Sequence, residues 1–217
     1  MAKTKDVRAA VEAELGFDPL VHSADITVMN VGGNVDLTGT VPSYPQYLEA
    51  AAATRRVAGV TTVDNNLAVA LPESDYRDDA KLTTAANNAL AASVTVPDSV
   101  EATADDGNIT LTGTASYGTE RAAAETAVSG LIGVRNVRND IDISYVTDPV
   151  DVDLHVQQAL ERSALVPDGS DVTADTEDGI ITLTGHVRTW AEHDAVVSAA
   201  LMAIGVIDVR DNLQVTG

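Results

Sequence analysis

The chain has 217 residues, and 33 Asp and Glu against 13 Lys and Arg leave it with a net charge of −20. So negative a surface repels phosphate backbones at long range, and no basic patch interrupts it, which excludes generic nucleic-acid binding. Without cysteine, neither disulfides nor thiolate metal sites contribute, and no run approaches the roughly 18 consecutive apolar residues that a membrane-spanning helix needs.

The first predicted element is a helix, with Val7, Ala10, Val11 and Leu15 at i, i+3, i+4 and i+8. Asp6 stands at its start, where a carboxylate accepts from free N–H groups and meets the positive end of the helix dipole. Ile26 and Val28 then alternate with polar residues, Gly32-Gly33 supplies a turn, and Val35 and Leu37 resume the alternation with Asp36 and Thr38 facing the other way. This predicts a hairpin with one wet face. Gly39 closes the second strand and marks a bend or a close backbone approach to the following helix. An alanine-rich helix from Gln46 to Val57 stops near Gly59, and a last strand runs through Val63, Leu67 and Val69.

The same order returns twice. VGGNVDLTG (31–39) becomes DDGNITLTG (105–113) and EDGIITLTG (177–185), while GVTTVDNNLAV (59–69) becomes GVRNVRNDIDI (133–143) and GVIDVRDNLQV (205–215). Opening helices are predicted at Leu82, Ala85, Ala86, Ala89 and Leu90, with Asp79 near the start, and at Val152, Val156, Ala159 and Leu160, with Asp153 near the start. Second helices run from Thr119 to Leu131 and from Ala191 to Ala203. Gly39, Gly113 and Gly185 stand 74 and 72 residues apart. That period exceeds the roughly 20 to 50 residues of a solenoid repeat, so each copy closes its own core, near the lower limit of independently folding size. The expected fold class is α+β: three tandem α-β-β-α-β domains at residues 1–71, 72–146 and 147–217, each a three-stranded sheet with two helices on one face. Net charge steepens along them, from −3 through −7 to −10. The connections at 71–77 and 146–150 are short, which predicts a compact or rod-like array.

An α-β-β-α-β unit with the strand-two pattern Gly33 to Gly39, Gly107 to Gly113 and Gly179 to Gly185, and with strand three at Gly59 to Val69, Gly133 to Ile143 and Gly205 to Val215, resembles the BON domain family of bacterial osmotically inducible and nodulation proteins. The resemblance implies no enzymatic activity and a role in osmotic or envelope stress, exercised by binding protein partners or a phospholipid surface. In one cytoplasmic branch of the family it implies potassium binding, so a potassium sensor stands as the alternative. MAKTKDVRAAVEAEL at the N-terminus has no apolar run or cleavage site of a signal peptide, and the cytoplasm is the expected compartment.

No catalytic, cofactor-binding or metal-binding residue is assigned. His22, His155, His186 and His193 are scattered and read as surface residues; no third ligand accompanies them. Asp105-Asp106 and Glu177-Asp178, with Asp175 nearby, lack the spacing and terminal Glu of a calcium loop and read as turn residues. Asn65, Asn139 and Asp211 fall on the apolar face of the third strands, where a polar side chain needs a partner. A hydrogen bond to a neighbouring loop or helix-end backbone, or a bulge that turns the side chain outward, is expected, with a ligand or ion oxygen site as the functional alternative. Trp190, the sole tryptophan, opens the last helix and is expected to pack on an adjacent domain.

Overall fold

The computed structural model of the chain describes residues 6–144, 155–156, 158–159, 171–177, 179–203 and 206–216. Copy one runs α1 (Val7–Phe17), β1 (Ile26–Val31), β2 (Asn34–Val41), α2 (Tyr44–Arg55) and β3 (Thr62–Val69). Copy two repeats it with α3 (Asp79–Ala92), β4 (Glu101–Asp105), β5 (Asn108–Ala115), α4 (Gly118–Ser129) and β6 (Asn136–Ile143). Copy three has β7 (Thr173–Glu177), β8 (Ile180–Val187), α5 (Trp190–Leu201) and β9 (Asp208–Val215), and His155, Val156, Gln158 and Ala159 are helical ahead of them. Val152, Asp153, Leu160 and the connection at 146–150 lie outside the described residues.

In every copy the middle strand pairs antiparallel with the first and parallel with the third, across the helix that joins them. Period-two alternation sends Val35 and Leu37, Ile109 and Leu111, and Ile181 and Leu183 inward, all fully buried. Helix residues at 3.6-residue spacing meet them: Val11 and Leu15 from α1, Leu82, Ala86 and Leu90 from α3, Val156 in copy three. Three clusters of buried residues result, one per copy. The opposite faces of the sheets stay polar, with Asp36, Asp64, Thr112 and Asp140 on them.

Two details differ from the sequence reading. Asp6 does cap α1, its Oδ1 accepting from the Ala9 N–H at 3.3 Å, but α3 is capped by Asp78, which accepts from the Lys81 N–H at 2.9 Å. Asp79, one residue into the helix, instead reaches the hairpin turn, where the Asp106 and Gly107 N–H groups donate to it at 3.0 and 3.1 Å. The second helices also start earlier than predicted, at Tyr44, Gly118 and Trp190. Pro45 in the first turn of α2, whose missing N–H has no partner to lose there, is the sequence signal for the earlier start in copy one.

Candidate functional site

The inward polar residue of each third strand finds its partner on the second helix of its own copy. Asn65 Nδ2 donates to the Tyr47 carbonyl at 2.8 Å, and Asn139 Nδ2 donates to the Arg121 carbonyl at 2.9 Å and to Glu125 Oε2 at 3.3 Å. The expected backbone bonds are present in these two copies. Asp211 has no N–H to donate, and the side chain one step along the helix has changed with it. His193, at the position of Tyr47 and Arg121, sets Nε2 2.6 Å from Asp211 Oδ2 and Nδ1 3.0 Å from Asp194 Oδ1. The His193 side chain is only 12% exposed, so it is not the surface residue its scattered position suggested. The signal lay in its spacing: three residues beyond Trp190, it shares a helix face with the indole, and their ring centroids are 4.7 Å apart.

Copies one and two differ where their two helices meet. In copy one Arg56 is held by Glu14 at 3.1 Å, Glu49 at 2.8 Å and Asp18, a cluster that straps α1 to α2. These carboxylates push the Arg56 pKa up, while the Leu20 N–H, with help from Arg56, holds the Asp18 carboxyl below its usual value. Counting back from the helix ends, copy two has Ala89, Ala123, Ser93 and Gly130 in the corresponding places. A cleft of about 690 Å³ opens between α3 and α4, lined by small side chains including Ala89, Ala92, Ser93, Thr119, Ala123 and Ala127. Val94, between the lining residues Ser93 and Thr95, is fully exposed, and in copy one Phe17 at the end of α1 and Leu20 in the loop after it are exposed.

The copies touch through the starts of their second helices. Tyr44 is 4% exposed and belongs to the core cluster of copy two; burial, followed by the Glu125 charge, raises the pKa of its phenol. Its ring stacks on Tyr47 at 5.6 Å. Gly118, at the same place in copy two, lies against Leu201, and Arg121 NH2 is 3.4 Å from Asp208 Oδ1. Trp190 does pack on another domain, and that domain is copy one: its Nε1 donates to the Val60 carbonyl at 3.2 Å, and the Arg55 guanidinium lies 4.8 Å from the indole centroid, a cation–π contact.

The remaining candidates stay apart. His22 is exposed in its loop, and His186 is paired with Asp171, whose carboxyl its hydrogen bond holds below the usual value. Asp106 adopts φ 45° in the hairpin turn and pairs with Arg135 at 3.1 Å. Among the described residues no three His, Asp or Glu side chains are placed to hold a metal ion, and no helix is long and apolar enough to cross a membrane.

Three repeated small α+β units that contact one another through helix ends define a tandem-domain protein. The chain belongs to the BON domain family, whose pattern matches residues 3–70, 78–145 and 150–217. Osmotically-inducible protein Y of Escherichia coli (strain K12) is 31% identical over 140 residues, covering 62% of this chain and 70% of that one. Among solved structures, CdsD, a structural protein of the type III secretion system of Chlamydia trachomatis, aligns over 96% of this chain and 91% of its own at 15% identity and a TM-score of 0.26. The PrgH periplasmic domain aligns over 90% and 97% at 8% identity and a TM-score of 0.23.

Proposed function

We propose that this protein is a non-enzymatic interaction module of the osmotic or envelope stress response, engaging a partner protein or a neutral membrane surface through apolar edges. Family membership and the likeness to osmotically-inducible protein Y support the stress assignment. The observation that carries the mode of binding is the cleft of copy two: on a chain of net charge −20 it is lined by small side chains without charge, and Val94, between the lining residues Ser93 and Thr95, is fully exposed. Burying Val94 against a partner contributes roughly 1.5–3 kcal/mol, with no desolvated charge to offset it. Sedimentation with phosphatidylcholine vesicles, and cross-linking to host proteins after osmotic upshift, compare the wild type with a Val94→Asp/Ala123→Glu variant. The variant is expected to lose the association; if both proteins behave alike in both assays, the cleft is not the docking edge. A cytoplasmic location is part of this proposal, and cell fractionation checks it.

Potassium sensing is the competing reading, and melting curves separate the two. Like charge concentrates in residues 147–217, and the Debye length shrinks from about 30 Å at 0.01 M salt to about 10 Å at 0.1 M, so added salt is expected to raise the melting temperature, most in copy three. Screening treats sodium and potassium nearly alike, whereas a specific site adds stability by mass action for its own ion. Equal rises in matched chloride series are expected; a potassium-selective rise favours the sensor. We further propose boundaries near residues 71 and 146. Limited proteolysis is expected to cut near Arg77 or within 146–150 first, and early cleavage within 107–113 overturns that division.

A further inference from the structure

We infer that the three copies close head to tail into a ring, with Trp190 as the closing contact, and that copy three thereby caps a face of copy one that otherwise accepts a second copy of this chain. The inference rests on positional equivalence among contacts that no repeat pattern required to match. Tyr44, Gly118 and Trp190 are the first residues of α2, α4 and α5, and each one lies on a different copy. Tyr44 enters the core cluster of copy two beside Val134 and Val137, at the start of its third strand. Gly118 meets Leu201, the last residue of α5, while Arg121 reaches Asp208, the first residue of β9. Trp190 meets Arg55, the last residue of α2, and Val60, just ahead of β3.

The contacts therefore run from copy one to two, from two to three and from three back to one. In each, the start of a second helix docks where the next copy's second helix ends or its third strand begins. Such a heterologous contact forms a ring when the rotation closes and an open filament when it does not. Three steps return to the start here. The residues suit their seats. Gly118 leaves room for Leu201, whose Cδ2 would stand 2.9 Å from a Cβ at that position. The Trp190 indole contacts both Arg55 of copy one and His193 of its own helix. A cleft of about 350 Å³, lined by Leu48, Ala122, Glu125, Thr126 and Ser129, is left between α2 and α4.

The first two joints connect copies already adjacent in sequence, so only the third depends on the chain folding back. Freed from copy three, the Arg55–Val60 face presents the seat that fits Trp190, and the Trp190 of another molecule is its complement. Because Trp190 is the only tryptophan, its fluorescence reports on the closing joint alone. Arg55 is exposed apart from this contact, so Arg55→Glu tests the joint from copy one without touching a core.

For the wild type, small-angle scattering of a compact particle and weak acrylamide quenching are expected. Arg55→Glu is expected to shift Trp190 emission to the red, raise its quenching and lengthen the particle. Because it frees Trp190 while Trp190→Ala leaves the Arg55–Val60 seat intact and empty, the two variants mixed together are expected to associate as concentration rises, whereas neither does so alone. Trp190→Ala should lengthen the particle in the same way, with circular dichroism checking that each variant stays folded. Extended scattering from the wild type, or unchanged emission and quenching in Arg55→Glu, overturns ring closure. A mixture of Arg55→Glu and Trp190→Ala that stays monomeric at every concentration overturns the capping of an adhesive face.

Discussion

Replacing Gly113 with Ala is expected to unfold copy two. Gly113 sits in β5 at φ +126°, where an L side chain is strained, and an added Cβ stands 2.2 Å from the Ser99 carbonyl oxygen and 3.0 Å from Val100 Cα. That oxygen belongs to backbone crossing the strand, held there by the Ser99 Oγ–H donating to the Thr114 carbonyl at 2.5 Å. A flexible side chain cannot swing aside to relieve the clash; either the 99–100 segment lifts, pulling β4 from β5, or β5 untwists from β6. Strain of this kind with lost strand pairing costs about 4 kcal/mol or more. A domain of about 70 residues has roughly 4–10 kcal/mol in all. Gly130 provides the control, for it has φ −86° and nothing within 4 Å of an added Cβ. Gly130→Ala should stay within about 0.5 kcal/mol of wild type. Urea melts in which the two variants match would show that the close approach is absent. Gly39 and Gly185, at φ +119° and +121° with carbonyl oxygens at 1.9 and 2.3 Å from an added Cβ, should behave as Gly113 does.

Asn139→Ala is expected to destabilise copy two by roughly 1–3 kcal/mol, the cost of leaving buried polar groups without partners. Asn139 joins β6 to α4 through the Arg121 carbonyl and Glu125, and its Oδ1 accepts from the Ile141 N–H at 3.4 Å. Asp140, the next residue, faces solvent and, among the described residues, pairs with Arg138 at 2.8 Å, so Asp140→Ala should change stability by no more than about 0.5 kcal/mol. Equal shifts for the two would mean that this hydrogen bond does not tie the strand to the helix.

The contrast between Asn139 and Asp140 was legible in the sequence because strands alternate strictly, and three copies in register left little freedom in assigning the faces. Element order and hairpin turns were legible for the same reason; a close approach at Gly39, Gly113 and Gly185 was expected from the following helix, but it comes from the Asp25, Ser99 and Asp171 carbonyls ahead of the first strands. Helix starts were less so: the alanine-rich stretches show where a helix continues, but Tyr44, Gly118 and Trp190 have nothing in common as residue types. Asp78 and Asp79 are both competent caps, and only the distance to the hairpin turn assigns one to each task. The joints between copies were out of reach for a more basic reason. Periodicity reports which face of an element is buried, and not which neighbour buries it. Trp190 could be expected to pack on another domain, but its partner lies 130 residues away in Val60. The cleft of copy two emerges only when Ala89, Ser93, Ala123 and Gly130 are set against Glu14, Asp18, Glu49 and Arg56, a comparison that needs the helices superposed from their C-terminal ends.

The exchange of Asn for Asp at position 211 bears on how far the repeats remain interchangeable parts. In copies one and two the strand residue donates to a main-chain carbonyl, which any helix sequence supplies, whereas Asp211 depends on the side chain of His193. A chimera that grafts α4 into copy three would set the Asp211 carboxylate toward a carbonyl, two acceptors with no proton between them; the reverse graft would place an imidazole opposite an Asn already served by backbone. Strand and helix of copy three have thus become a matched set, to be transplanted together. Anyone building longer or shorter arrays from this chain should cut between whole copies, and keep the last one intact.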